Sequence, residues 1–305
     1  MRKHTPIRSI AIIGPGRIGQ AMGRLLMQSR VSIAFIAARK LAAARRAMRF
    51  IGEGITTGLA DPRLLSASVL LITTSDSAIG DVALELAKLG KGREAWRGKV
   101  VLHTCGSLPS AVLRPLKLRG AAIGSLHPFQ TVPSPEAGVR NLRGCFWALE
   151  GDRPALLVAR DWVKRLGGVA FSIRPQEKAL YHLSAFIVCP TVITLMAQAA
   201  SLLKQAGVPA GISRPMLRQF VGETAKNFAD MGPRRALTGP AVRGDWATIR
   251  RHLSVLRRSA PGFVPVYQSL LKAMLALAAK PQKQGKRQNA KLTSTARKRR
   301  GSADC

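Results

Sequence analysis

Short apolar runs, each closed by glycine, threonine or serine, recur through the first half of the chain. They alternate with stretches whose apolar residues follow a helical period. Ser9–Ile13 reads as a strand, turns through glycines and continues as a helix to about Gln28. Val31–Arg39 is a second strand, Ser68–Asp76 a third and Lys99–Ser107 another; "AAIGSLH" and "GCFWALEGD" add two more. "LAAARRAMRFIG", "IGDVALELAKLG" and "AVLRPLKLRG", which fall between them, are helical in composition. Strands alternating with helices of about ten residues predict an α/β fold with a parallel, doubly wound sheet.

After Asp152 the pattern changes. One helix ("PALLVARDWVKRLGG") and one short strand ("VAFSIRP") precede helices near 176–206, 213–230, 245–258 and 262–279. The expected organisation is a Rossmann-like dinucleotide-binding domain over 1–152 and a mostly α-helical substrate or dimerisation domain over 153–279. A basic tail follows over 280–305, too poor in apolar residues to fold. Ser184–Leu203 is long enough to span a bilayer. Pro190, Thr191, Thr194, Gln198 and Ser201 interrupt it, so it is expected to be a buried core helix, and no membrane partner is expected. The same helix could build a homodimer interface.

Charge adds to this picture. The net charge of +34 divides as +14 over residues 1–150, +12 over 151–279 and +8 over 280–305, so it is densest in the tail. Such a field draws phosphorylated or carboxylate ligands, and nucleic acid only non-specifically, through the tail. The tail lacks the aromatic residues of a base-stacking platform. Cys105, Cys145, Cys189 and Cys305 are spaced neither as a metal knuckle nor as a disulfide ladder, which predicts a reducing, cytoplasmic setting. The first residues do not read as a signal peptide. The five histidines show no metal-ligand spacing, so no metal is expected.

"GPGRIG" comprises Gly14, Pro15, Gly16, Arg17, Ile18 and Gly19, between a strand and a helix. In that context the pattern predicts a dinucleotide site. Gly14 makes the turn, Gly16 lets backbone amides approach a diphosphate, and Gly19 lets the helix pack on the sheet. At the end of the second strand, where an NAD site usually carries an acid, stand Arg39 and Lys40. An arginine can pair with a 2′-phosphate, so NADP is expected rather than NAD. Thr74 and Ser75, in "TTSDSAI", and Thr104, in "HTCGS", end further strands and complete the predicted cofactor lining.

"GPGRIG", "LHTCGSL", "GSLHPFQT", "KALYH" and "ALTGPAVRGD", in that order, resemble an uncharacterised family that pairs a Rossmann-like NAD(P)-binding domain with a helical domain of unknown function. The resemblance covers about residues 7–279. It implies a fold like the 6-phosphogluconate-dehydrogenase group and a dehydrogenase-like oxidoreductase, but no substrate. A looser likeness to prephenate dehydrogenases, which also end a strand in His-Pro, implies that His127 serves the reacting hydroxyl, with Ser107 or Thr104 nearby. Related sequences look as if they often carry Asn where Pro190 stands, and Pro190 bends or breaks the helix without offering an amide.

The expected activity is NADP-dependent oxidoreduction of a small, anionic hydroxy, keto or imine substrate in an interdomain cleft. The alternative is a non-catalytic NADP-binding sensor or scaffold. Proton transfer falls to His127, Lys178 and His182; the last two lie four apart on one helix face. Tyr181 is expected to turn away into the core. Ser107, Gln130 and Arg243 are the candidate substrate-binding residues, and Asp245 is placed to cap the helix that follows it.

Overall fold

The computed structural model describes residues 9–90 and 92–279; the basic tail, and the expectations attached to it, lie outside the described residues. Eight strands form one sheet in the order β3-β2-β1-β4-β5-β6-β7-β8. They are β1 (Ile10–Ile13), β2 (Ile33–Ala37), β3 (Ile55–Thr57), β4 (Val69–Ile72), β5 (Val100–His103), β6 (Ala122–Pro128), β7 (Phe146–Gly151) and β8 (Val169–Ser172). The unbroken apolar runs arise because both faces are covered. Ile10 and Ile12 face one core, while Ala11 and Ile13 face the other. Helices α1 (Arg17–Gln28), α2 (Leu41–Ile51) and α6 (Arg153–Arg165) build the first core; α3 (Ile79–Leu86) and α4 (Arg114–Leu118) build the second. Strand β3 was not predicted, since three residues are too few to show a period.

The sheet is not parallel throughout. Strands β1 to β6 run one way, but β7 pairs antiparallel with β6, and β8 runs parallel to β7. The cause lies in α5 (Pro135–Asn141), which packs on α1 instead of carrying the chain back along the sheet. Gly138 makes that contact close, since a Cβ there would stand 2.6 Å from the Ala21 Cβ. The chain therefore re-enters the sheet from the end at which it left. In the resulting register Ser125 lies opposite Glu150, and His127 opposite Ala148.

The chain forms two compact units that divide after Val192. Strand β8, which lies beyond Asp152, belongs to the sheet of the first. Helix α7 (Lys178–Val188) closes the first unit, and α8 (Pro190–Gln205) starts at the proline predicted to break the helix. The second unit continues through α9 (Ala210–Ala236), α10 (Pro240–Arg243), α11 (Trp246–Ser259) and α12 (Val264–Ala278). The Asp245 carboxylate accepts the Thr248 N–H at 3.0 Å and caps α11 as expected.

The expectation of a buried core helix over 184–203 is overturned. Pro175–Gln205 is long and apolar enough to cross a membrane, with mean hydropathy 1.9, and none of its apolar window is buried. From Ile193 to Ala279 only Ser213, Ala241, Ile249 and Leu256 are buried among the described residues. The helices of the second unit thus leave large apolar side chains such as Ile193 and Phe220 in the open.

Candidate functional site

The first part of the site lies at the carboxyl ends of β1, β2 and β4. Gly14 adopts φ +68° and donates its N–H to Ala37 O at 2.8 Å, closing the turn. A Cβ at Gly14 would overlap the Thr74 side chain, and one at Gly19 would overlap the Thr73 hydroxyl. The positive φ at Gly14 and the close packing of α1 on the sheet at Gly19 both require the absence of a side chain. Gly16 caps α1 with no side-chain hydrogen bond, so the amides of the first turn are left for a ligand. A cavity of about 680 Å³ opens here, lined by Gly14, Gly16, Arg39, Lys40, Thr74 and Ser75 among others. Arg39 and Lys40 are exposed, and neither has an ionic partner among the described residues. The Thr74 hydroxyl is buried without a hydrogen-bond partner. An anion-seeking helix end, two free cations and an orphaned hydroxyl in one cavity fit a phosphorylated dinucleotide. Arg17 is exposed at the start of α1, and Ile18 packs against the core.

The second part lies at the ends of β5 and β6. His127, the penultimate residue of β6, is half-buried, and its Nδ1 stands 2.9 Å from the Tyr181 hydroxyl. The His182 ring centroid is 5.8 Å from that of His127. Gly106 forms the floor: a Cβ there would come within 2.8 Å of His127 Nε2 and 2.6 Å of His182 Cδ2. Tyr181 is thus not turned into the core. Residues 178, 181 and 182 are related as i, i+3 and i+4 and share one stripe of α7, which the helical period could have disclosed. Phe129 and Phe171 flank the Tyr181 ring.

Beneath these rings is a buried polar network. Lys178 is 1% exposed; its ammonium donates to Cys105 O at 2.9 Å and to Ser125 Oγ at 2.6 Å. The Ser125 hydroxyl in turn donates to Glu150 Oε1 at 3.1 Å, and the Glu150 carboxylate also accepts the Ser110 hydroxyl at 2.8 Å. Lys178 Nζ and Glu150 Oε1 are 4.0 Å apart. His103 is fully buried and takes the Cys105 N–H on its Nδ1 at 3.1 Å, which shapes the turn that carries Cys105 O and Gly106. Sequence reasoning missed Ser125 and Glu150 as site residues.

Burial and then the Lys178 charge hold both His103 and His127 down to about 3, so both rings are neutral at physiological pH. Burial pushes the Tyr181 phenol above its ordinary value. Burial also lowers Lys178, against the opposing pull of Glu150.

Thr104 and Ser107 flank Cys105 and Gly106 on the turn after β5. Thr104 is buried, and the Ser107 hydroxyl lies 3.3 Å from the Cys105 sulfur. Gln130 is exposed and accepts the Thr131 N–H on its own side-chain oxygen. Arg243 is exposed at the end of α10, in the second unit. Among the described residues no cluster of His, Cys, Asp and Glu is arranged to hold a metal.

A Rossmann-like domain is matched over residues 3–128, and a domain of unknown function, DUF2520, over residues 145–274. No curated protein matches the chain. Among solved structures, a Bacteroides fragilis protein provisionally described as an NADP oxidoreductase is 24% identical, with a TM-score of 0.72 over 88% of this chain and 98% of its own. A pyrroline-5-carboxylate reductase from Coxiella burnetii is 16% identical, TM-score 0.56, over 90% and 100%. A reductive aminase from Aspergillus terreus, in complex with NADPH and ethyl levulinate, is 18% identical, TM-score 0.60, over 88% and 94%. At such identities the likeness is one of fold.

Proposed function

We propose that this chain, a Rossmann-like domain joined to a DUF2520 domain, is an NADP-dependent oxidoreductase. We take its substrate to be a small carbonyl, hydroxyl or imine compound, anionic in keeping with the basic chain. The observation that carries the reading is the cavity at the first βα turn, where Gly16, Arg39, Lys40 and the orphaned Thr74 hydroxyl converge. The similar structures, among them a protein provisionally described as an NADP oxidoreductase and a reductive aminase in complex with NADPH, support it. In this reading the amides at the start of α1 hold the diphosphate, Gly16 leaving room for its approach, and Arg39 with Lys40 holds the 2′-phosphate. When bound, NADPH supplies the hydride.

The chain's own residues then handle the proton. His127 Nδ1 and the Tyr181 hydroxyl share a hydrogen bond; with the hydroxyl as donor, neutral His127 carries its hydrogen on Nε2. His127 can give its Nε2 hydrogen to a substrate oxygen or nitrogen while taking the Tyr181 hydroxyl hydrogen on Nδ1, and the phenol then regains its proton from solvent. His182 lines the same spot. Lys178, counted from sequence among the proton donors, acts in this reading from below, as a buried charge that adds to burial in keeping His127 neutral. The decisive measurement is fluorescence titration with NADPH and NADH. NADPH is expected to bind at least about tenfold more tightly, as one charge-assisted phosphate contact provides. Binding of neither nucleotide would remove the reading. A non-catalytic NADP-binding role is favoured by one feature, Pro190 in place of a side chain able to hydrogen-bond. Oxidation of NADPH with any member of a panel of keto acids and cyclic imines would decide against it.

We propose further that the protein is a homodimer through its helical unit. Twelve large apolar side chains between Ile193 and Leu277 are exposed among the described residues. At roughly 100 Å² each they amount to on the order of 1,000 Å² per chain, the scale of an obligate dimer and more than a monomer leaves in water. Sedimentation is expected to give twice the chain mass, and Phe220→Asp to shift it toward the monomer. A monomeric wild type, or one that partitions into lipid vesicles, would refute this assembly.

A further inference from the structure

We propose that Glu150 is a positioning residue of the His127 site. Acting through the Ser125 hydroxyl and the Lys178 ammonium, it sets the turn of α7 at which Tyr181 and His182 meet His127. The inference deepens the oxidoreductase reading and draws its functional meaning from it.

The geometry is directional. Lys178 is the first residue of α7, and its ammonium is held between Cys105 O on the β5 turn and Ser125 Oγ on β6. Ser125 has a single hydroxyl hydrogen. Because it accepts from Lys178, that hydrogen is free to go to Glu150, its cross-strand neighbour in the antiparallel β6–β7 register. Glu150 is itself fixed by the Ser110 hydroxyl and N–H. The Ser125 and Glu150 links are fixed on paired strands, so the Lys178 ammonium reaches both of its acceptors over only a narrow range of helix rotations. A slip of one residue along α7 would turn its face by about 100° and move it about 1.5 Å. The ammonium would then lose both acceptors while still buried.

Packing alone does not account for this arrangement. Glu150 is 3% exposed and Lys178 1%. Buried ion pairs are commonly no more stabilising than apolar side chains of the same volume, and register is the best-attested use of such groups. An apolar plug would dock α7 but would tolerate several rotations. The ammonium, with two fixed acceptors, does not. One turn along α7, the outcome is the 2.9 Å contact between Tyr181 and His127.

The test follows the imidazole nitrogens of the full-length chain by NMR after ¹⁵N-histidine labelling, with His127 identified by His127→Gln. In the wild type at pH 7, His127 is expected to show a single neutral tautomer, with Nδ1 hydrogen-bonded. In Glu150→Gln, and in the milder Ser125→Ala, that signature is expected to give way to a mixture of tautomers, while the His252 signals stay unchanged. NADPH titration of the same samples is expected to match the wild type, because the nucleotide cavity shares no residue with this network. If Glu150→Gln does not fold, Ser125→Ala decides. Folded variants that keep the wild-type His127 nitrogen shifts would overturn the positioning role and leave a purely structural ion pair. Failure of the wild type to bind NADPH would instead count against the oxidoreductase reading, and the nitrogen shifts would still decide this one.

Discussion

Acidification from pH 7 to about 4 is expected to cost this protein on the order of 6 kcal/mol of stability. His103 and His127 are held to about 3 in the folded chain, first by burial and then by Lys178. In the unfolded chain each titrates near the ordinary histidine value of about 6.5. Between those two values the unfolded state binds two protons that the folded state refuses, so stability falls as pH falls through the window. The two histidines are fully favourable to the fold above about 6.5. Their contribution is lost progressively down to about 3, at about 1.4 kcal/mol per histidine per pH unit. Asp61, held well below the usual carboxylate range first by its hydrogen bond with Arg63, acts in the same direction at still lower pH. A loss of 6 kcal/mol is comparable with the whole stability of many domains. Urea denaturation at intervals from pH 7 to 4 should show the midpoint falling steeply below pH 6.5. His103→Gln should roughly halve that slope, whatever it does to stability at pH 7. A midpoint that stays level down to pH 4.5 would mean that the rings protonate freely in the folded protein.

Replacing Arg39 is expected to erase the choice of cofactor. Under the proposed reading its guanidinium meets the 2′-phosphate, a charge-assisted contact of about 1.5–3 kcal/mol. Arg39→Ala should weaken NADPH about 10- to 100-fold and leave NADH nearly unaffected. Arg39→Glu should weaken NADPH further, since a carboxylate repels the phosphate, and should improve NADH through the ribose hydroxyls. The fold should tolerate both changes, because Arg39 is exposed and holds no ionic partner among the described residues. Equal weakening of NADPH and NADH would show that this side chain does not read the phosphate.

The glycine-turn end of the candidate site was legible in the chain because its logic is local. Gly14, Gly16 and Gly19 lie within six residues, and the strand before them and helix after them follow from nearest-neighbour patterning. Arg39 and Lys40 need only one further strand to reach the same cavity. The other end of the site was legible only in part. His127 was recognisable from its place at a strand end before a proline, and Lys178 with His182 from their spacing. Tyr181 was misassigned because its angular offset from Lys178 was taken as a departure from the face, when i+3 is one of its two closest neighbours.

The amino-acid sequence by itself determined the strand–helix alternation, the glycine turn with its two nearby cations, and the break at Pro190, because each rests on residues close together in the chain. Only the tertiary structure decided that β7 runs antiparallel, a choice made by the packing of α5 on α1 and invisible to a local pattern. That reversal sets Glu150 opposite Ser125 and so puts a carboxylate under Lys178 from 28 residues away in the chain. Tertiary structure likewise decided that the apolar helices of the second unit stay uncovered within one chain. Apolar periodicity records which face must be buried, but not whether the covering surface comes from the same molecule.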